Sequence, residues 1–225
     1  ANRTDQREGL ILATQLGLFN GALRLLKERK LASLSENREP RRLLDDAWGD
    51  GQTEGAVKYC LQLGQWTFAT RTVQADYSPS VEPPFGYRYA FDQPEDLVRV
   101  CGIFCDPECA IPLLKYTDER HFWYADQATI YVSYVSNGLD YGADLSLWPE
   151  TFAKMVEAFL ATEIAGNLSQ SETLIQLAAQ AFKQTRLEAA SLDAANKPTK
   201  FMPQGSWTRA RHGDSYRNSR WDGQA

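Results

Sequence analysis

Three cysteines fall at four-residue intervals, Cys101, Cys105 and Cys109, with a fourth at Cys60. Thiolates are soft ligands that hold zinc in closed tetrahedral sites. The spacing fits no common zinc pattern, and both histidines, His121 and His212, lie elsewhere in the chain. Cysteine is also a small, frequently buried apolar residue. The reading is therefore of packed thiols in a reducing compartment, with no metal and no cofactor. The stretch from Asp46 to Val57 bears on hard-cation chemistry, with Asp46, Asp50 and Gly51 where a calcium loop would place them. Its third position is Trp48 and its twelfth is Val57, so two ligands fail, including the bidentate glutamate, and calcium is rejected.

The remaining reactive residue types are equally bare of catalytic context. There is no Gly-x-x-x-x-Gly-Lys-Ser/Thr phosphate loop, no Gly-x-Gly-x-x-Gly turn and no Gly-x-Ser-x-Gly nucleophile elbow. His121 lies among Phe122, Trp123 and Tyr124 and reads as a satisfied sheet residue. The acidic pairs Asp45/Asp46 and Glu95/Asp96 read as helix-face charge and turn residues, since spacing alone does not define a carboxylate pair for acid–base work. Trp66, Phe68, Tyr87, Tyr89, Phe91, Phe122, Trp123 and Tyr124 could stack bases if interleaved with basic residues. Their neighbours are mostly neutral or acidic, which favours core packing. The sequence carries no enzyme signature.

The elements that must position these residues follow from composition and periodicity. The chain has 225 residues, 43% hydrophobic and 12% aromatic, enough for a full core. No apolar run reaches the length of a membrane span, and the polar start at 1–8 lacks the apolar region of a signal peptide, which implies folding in a cytoplasm. Residues 1–8 read as a flexible arm. Leu12, Leu16, Phe19, Leu23 and Leu26 recur at helical spacing and predict a helix over 10–30, with Gly17 and Gly21 weakening it or admitting a close neighbour. Lys27, Arg29 and Lys30 would sit at its C-terminal end. Pro40 opens a second helix over 40–63, with a kink or short break at Gly49-Asp50-Gly51.

Residues 66–135 read as a β-rich insertion. Tyr87, Tyr89 and Phe91 alternate on one face, and Leu97 to Cys105 forms a strand. Ile111 to Tyr116 follows the turn at Asp106-Pro107-Glu108, and His121 to Ala125 forms a hairpin with Thr129 to Val135. Tyr131 and Tyr134, on opposite faces, predict a strand covered on both sides. Asn137-Gly138 marks a turn, and a helix over 149–167 starts at Pro149. Ser169-x-x-Glu172 reads as the capping box of a last helix over 170–195. The fold class is α+β, a bundle of about four helices with a central β-rich domain. Leu23, Trp66, Phe68, Phe152 and Phe159 are its core candidates.

Beyond the last helix the composition changes. Residues 196–225 hold six basic groups (Lys197, Lys200, Arg209, Arg211, Arg217, Arg220) and two acidic ones (Asp214, Asp222). A tail of +4 is thus attached to a body of −9 in a chain of net charge −5. The tail lacks periodicity, yet carries Phe201, Trp207, Tyr216 and Trp221. Trp, Tyr and Arg are the residues enriched at interface hot spots, so the tail reads as an extended segment that orders on a partner.

Several blocks occur in a telling order: Asn20-Gly21-Ala22-Leu23-Arg24-Leu25-Leu26, Lys30-Leu31-Ala32-Ser33-Leu34, Arg41-Arg42-Leu43-Leu44-Asp45-Asp46-Ala47-Trp48, Ala56 to Leu61, and Trp66-Thr67-Phe68-Ala69. Tyr87-x-Tyr89-x-Phe91-x-x-Pro94-Glu95-Asp96-Leu97-x-Arg99-Val100 follows, and then the pair of C-terminal helices. Over about residues 14–195 this order resembles the head–tail adaptors of tailed bacteriophages, the tail tubular protein A family. The resemblance implies a virion structural protein, assembled in the host cytoplasm, that forms a dodecameric ring beneath the portal. Such a connector extends the DNA channel, lets genomic DNA pass without sequence-specific binding, and seats the next tail component, a nozzle or stopper. It implies that Trp207, Arg209, Arg211, Tyr216, Arg220 and Trp221 dock on the portal protein. The alternative is a nucleic-acid-binding protein that uses the basic tail.

Overall fold

Five α-helices and six strands form among the residues described by the computed structural model, which are 13–51, 54–83, 86–169 and 171–197. The expected arm at 1–8, the helix start at 10 and the docking tail residues lie outside them. Helix α1 runs from Gln15 to Leu25. Thr14 caps it, its hydroxyl accepting from the Gly17 amide at 3.1 Å. The helix stops sooner than its apolar spacing suggests, because Lys27 takes a positive φ of 59°. Lys27, Arg29 and Lys30 therefore lie past its end.

The second expected helix is two helices, α2 (Glu39–Trp48) and α3 (Ala56–Gln62). The break falls in the glycine-rich stretch. Gly55 has φ 94°, and a β-carbon there would stand 2.0 Å from the Trp48 carbonyl oxygen, so only glycine lets the chain fold back this tightly. Asp50 accepts from the Glu54 amide at 3.1 Å and closes the loop.

Helix α4 (Glu150–Leu168) is the hub of the helical layer, touched by α1, α2, α3 and α5. Its Phe152, Met155, Val156, Leu160, Ala161 and Ile164 are buried with Phe19, Leu23, Leu44, Val57, Leu61 and Trp66. Helix α5 (Glu172–Asn196) packs along α4 through Ala178 and Ala189. The expected capping box is absent. Ser171 is the N-cap and makes no side-chain cap bond, while the Ser169 hydroxyl accepts from the Ser171 amide at 3.1 Å. Ser169 ends α4, so its hydroxyl serves the connector and not the new helix.

The strands form two three-stranded antiparallel sheets. In the first, β6 (Thr129–Ser136) lies between β1 (Thr70–Asp76) and β3 (Leu97–Phe104). In the second, β5 (Phe122–Ala125) lies between β2 (Tyr89–Asp92) and β4 (Tyr116–Glu119). The expected hairpin between His121–Ala125 and Thr129–Val135 does not form, because β5 and β6 belong to different sheets. The hairpin is instead β4–β5, closed by Arg120 and His121, both at positive φ (51° and 74°) as a type I′ turn requires. Ile111 to Lys115 is not a strand; its backbone pairs with β3 at an isolated bridge between Phe104 and Pro112.

The sheets share a second core, with Phe91, Trp123 and Ala125 of one against Ile103, Ile130, Val132 and Tyr134 of the other. Val135, on the opposite face of β6, joins the helical core. The end of β6 is therefore covered on both sides.

Candidate functional site

The helices meet the first sheet at Trp66 and Phe68, in the turn from α3 into β1. Trp66 is 2% exposed, and its Nε1 donates to the Cys60 carbonyl at 3.1 Å. Its ring stands edge-on to Phe152 at 5.0 Å, and Phe68 meets the same ring at 4.8 Å. Trp148, whose Nε1 donates to the Gly142 carbonyl at 2.9 Å, completes the aromatic group around Phe152. Leu23 and Phe152 are fully buried, whereas Phe68 and Phe159 are half-buried at the margin of the core. Asp193 of α5 accepts from both the amide and the hydroxyl of Thr67, tying the end of the last helix to this junction.

Asn20 performs a second junction. Its side-chain oxygen accepts from the Leu31 amide at 2.7 Å, and its Nδ2 donates to the Leu31 carbonyl at 3.2 Å. This paired clamp folds the loop after α1 back against the helix and buries Leu31.

Asp96, read from sequence as a turn residue, is the centre of a polar cluster. Arg71 Nη1 and Tyr134 OH each donate to it at 3.0 Å, and Ser136 Oγ donates at 2.5 Å. The Asp96 carbonyl accepts from the Asn137 amide at 3.0 Å, and the Arg71 guanidinium lies over the Tyr141 ring. Burial works to raise the Asp96 carboxyl, but the bonds from Ser136, Tyr134 and Arg71 outweigh it and hold it below the ordinary range. Burial and the carboxylate together push the Tyr134 hydroxyl up. Both carboxylate oxygens are engaged, so the cluster acts as a lock between the first sheet and the 137–144 loop. Its members are 25 to 40 residues from Asp96 in sequence, and no local pattern announces them.

The cysteines do not converge on a ligand set. Cys60 is buried in α3, Cys101 is half-buried in β3, and Cys105 and Cys109 flank the turn after β3. Burial pushes the Cys60 and Cys101 thiols up. Asp106 organises that turn by accepting from the Ala110 and Ile111 amides, and these bonds lower its carboxyl pKa. His121 is exposed at the tip of the β4–β5 hairpin and not within a sheet. Among the described residues no group of three or more His, Cys, Asp or Glu is placed to hold a metal ion. No described helix is long and apolar enough to cross a membrane. Trp207, Arg209, Arg211, Tyr216, Arg220 and Trp221 lie outside the described residues. No protein-family model matches this chain, and no curated protein is significantly similar to it.

Proposed function

We propose that this chain is a virion structural protein, the head–tail adaptor of a tailed bacteriophage, and not an enzyme. Copies assemble as a ring below the portal, extend the DNA channel and seat the next tail component. The helices gathered on α4 serve as the bundle of the ring wall, with the two sheets projecting from it. The tail from 196 to 225 docks upward on portal subunits through Trp207, Arg209, Arg211, Tyr216, Arg220 and Trp221.

The observation that carries this reading is the structural use of the blocks behind the resemblance. Asn20 clamps Leu31, Leu23 is buried under α4, and Trp66 and Phe68 both pack on Phe152. The blocks on which the resemblance rests, scattered over the sequence, thus hold one scaffold together. The acidic balance of the body suits a channel wall, since a negative lumen repels the DNA backbone.

The test is negative-stain imaging and native mass spectrometry of the full chain, alone and with the portal ring of the same phage. Rings that bind portal, and a 197–225 deletion that stays folded but loses portal binding, are the expected results. A deletion variant that binds portal unchanged overturns the docking role. The +4 charge of the tail favours one second reading, nucleic-acid binding through that segment. DNA affinity that falls steeply with salt and disappears with the deletion would support it.

A further inference from the structure

Tyr59 of α3 stacks on Phe159 of α4, with ring centroids 4.6 Å apart and planes inclined by 23°, and Phe159 meets Phe182 of α5 at 5.4 Å. A row of rings thus crosses three helices, and Tyr59 at its end is 43% exposed. On one side lies a groove of about 560 Å³ with Leu43, Ala47 and Ile164 in its apolar floor. Among the described residues lining it, the charged ones are Asp46 and Glu163. On the other side lies a groove of about 520 Å³ lined by Leu63, Leu187 and Ala190, where the charged residues are Lys183 and Arg186. Leu63 follows Tyr59 by one turn, which sets the two grooves side by side on one face. All four charged side chains are exposed, and none forms an ion pair among the described residues. Leu187 is 64% exposed beside them.

The order acidic groove, aromatic row, basic groove is its own complement after a half-turn. Rotation about an axis through the ring row lays each acidic groove on the basic groove of the other copy. We propose that this face is a twofold contact between two copies of this chain, with Tyr59, Phe159 and Phe182 at its centre. An isologous contact requires such a self-complementary patch, in which residue i meets j and j meets i. Aromatic residues at the centre with charges at the rim match the anatomy of protein interfaces. The charges set the register, because a parallel alignment would oppose like charges. This contact goes beyond the adaptor reading and does not depend on it.

Sedimentation velocity of the full chain over a range of concentrations and salt tests the proposal. The wild-type chain is expected to dimerise, more weakly at high salt. One variant combines Asp46→Lys with Glu163→Lys, and the other combines Lys183→Glu with Arg186→Glu. Each alone should weaken dimerisation by at least about 100-fold, given the cost of opposing like charges. Mixed in equal amounts they should pair as a heterodimer, which also demonstrates that both are folded. Tyr59→Ala should weaken the dimer without altering its salt dependence. A wild-type chain that stays monomeric at the highest concentrations overturns the proposal, as does self-association unaffected by either reversal. A mixture that fails to recombine also overturns it. Growth of the mixture beyond a dimer that neither variant shows alone would mean a head-to-tail contact through this face and overturn the twofold arrangement.

Discussion

The Glu157 carboxyl of α4 lies over Gly21 of α1, where a β-carbon would stand 2.1 Å from Glu157 Cδ. The glycine lets the acidic side chain lie down between two packed helices, with Arg24 at 3.6 Å as its cation. Burial raises the Glu157 carboxyl, and the partly opposing charges of Arg24 and Lys154 do not cancel it. A carboxyl raised in the folded state opposes folding when ionised, and that cost disappears once the pH falls below its unfolded value. Glu157→Gln should therefore raise the melting temperature at pH 7. The gain should vanish below about pH 4, where both states are protonated. Paired thermal melts across this range check the sign.

Truncation of Trp66 should be among the most damaging changes in the helical layer. Trp66→Ala removes a fully buried ring from the Phe152 cluster and should cost about 3–5 kcal/mol. Phe68→Ala should cost less, because Phe68 is half-buried. Urea unfolding of both variants measures the difference, and unchanged midpoints would refute the role of this junction.

The Asp96 lock makes an acid-dependent contribution. Its carboxyl is lowered in the folded chain, so the stabilisation is complete above the ordinary carboxylate value of 3.8 and is lost as pH falls through the depressed folded value. Asp96→Asn turns an NH2 toward either Tyr134 or the Ser136–Arg71 side, where an oxygen had accepted, and should cost about 1–3 kcal/mol at neutral pH. The gap between wild type and variant should narrow below about pH 4. A gap independent of pH would show that the carboxylate charge is not what the cluster uses.

Thiol chemistry should sort the cysteines by position. Cys60 is fully buried and its thiol is pushed up, so a maleimide or aromatic disulfide reagent should reach it only on unfolding. Cys105 and Cys109, at the turn after β3, should label in the native chain. Metal analysis of the purified protein should find less than stoichiometric zinc. One zinc per chain, lost on replacing Cys101, Cys105 or Cys109, would reverse the reading of these residues as thiols.

What the sequence determined by itself is mostly local. The 3.6-residue recurrence of Phe152, Val156, Phe159, Leu160 and Ile164 specifies α4, and Gly49-Asp50-Gly51 marks where the helix from Pro40 breaks. Those features depend on neighbours within a few residues, where backbone sterics and side-chain spacing act directly. Only the tertiary structure decided which strands pair. The hairpin turn at Arg120-His121 holds none of the Asn or Gly that usually marks positive φ, so adjacency favoured the wrong partner for Phe122–Ala125. The Asp96 cluster and the ring row of Tyr59, Phe159 and Phe182 likewise join residues far apart in sequence. Each of those contacts exists because burial on α4 or between the sheets brings distant segments together, and the free energy of that burial is a property of the assembled core rather than of any window of the chain.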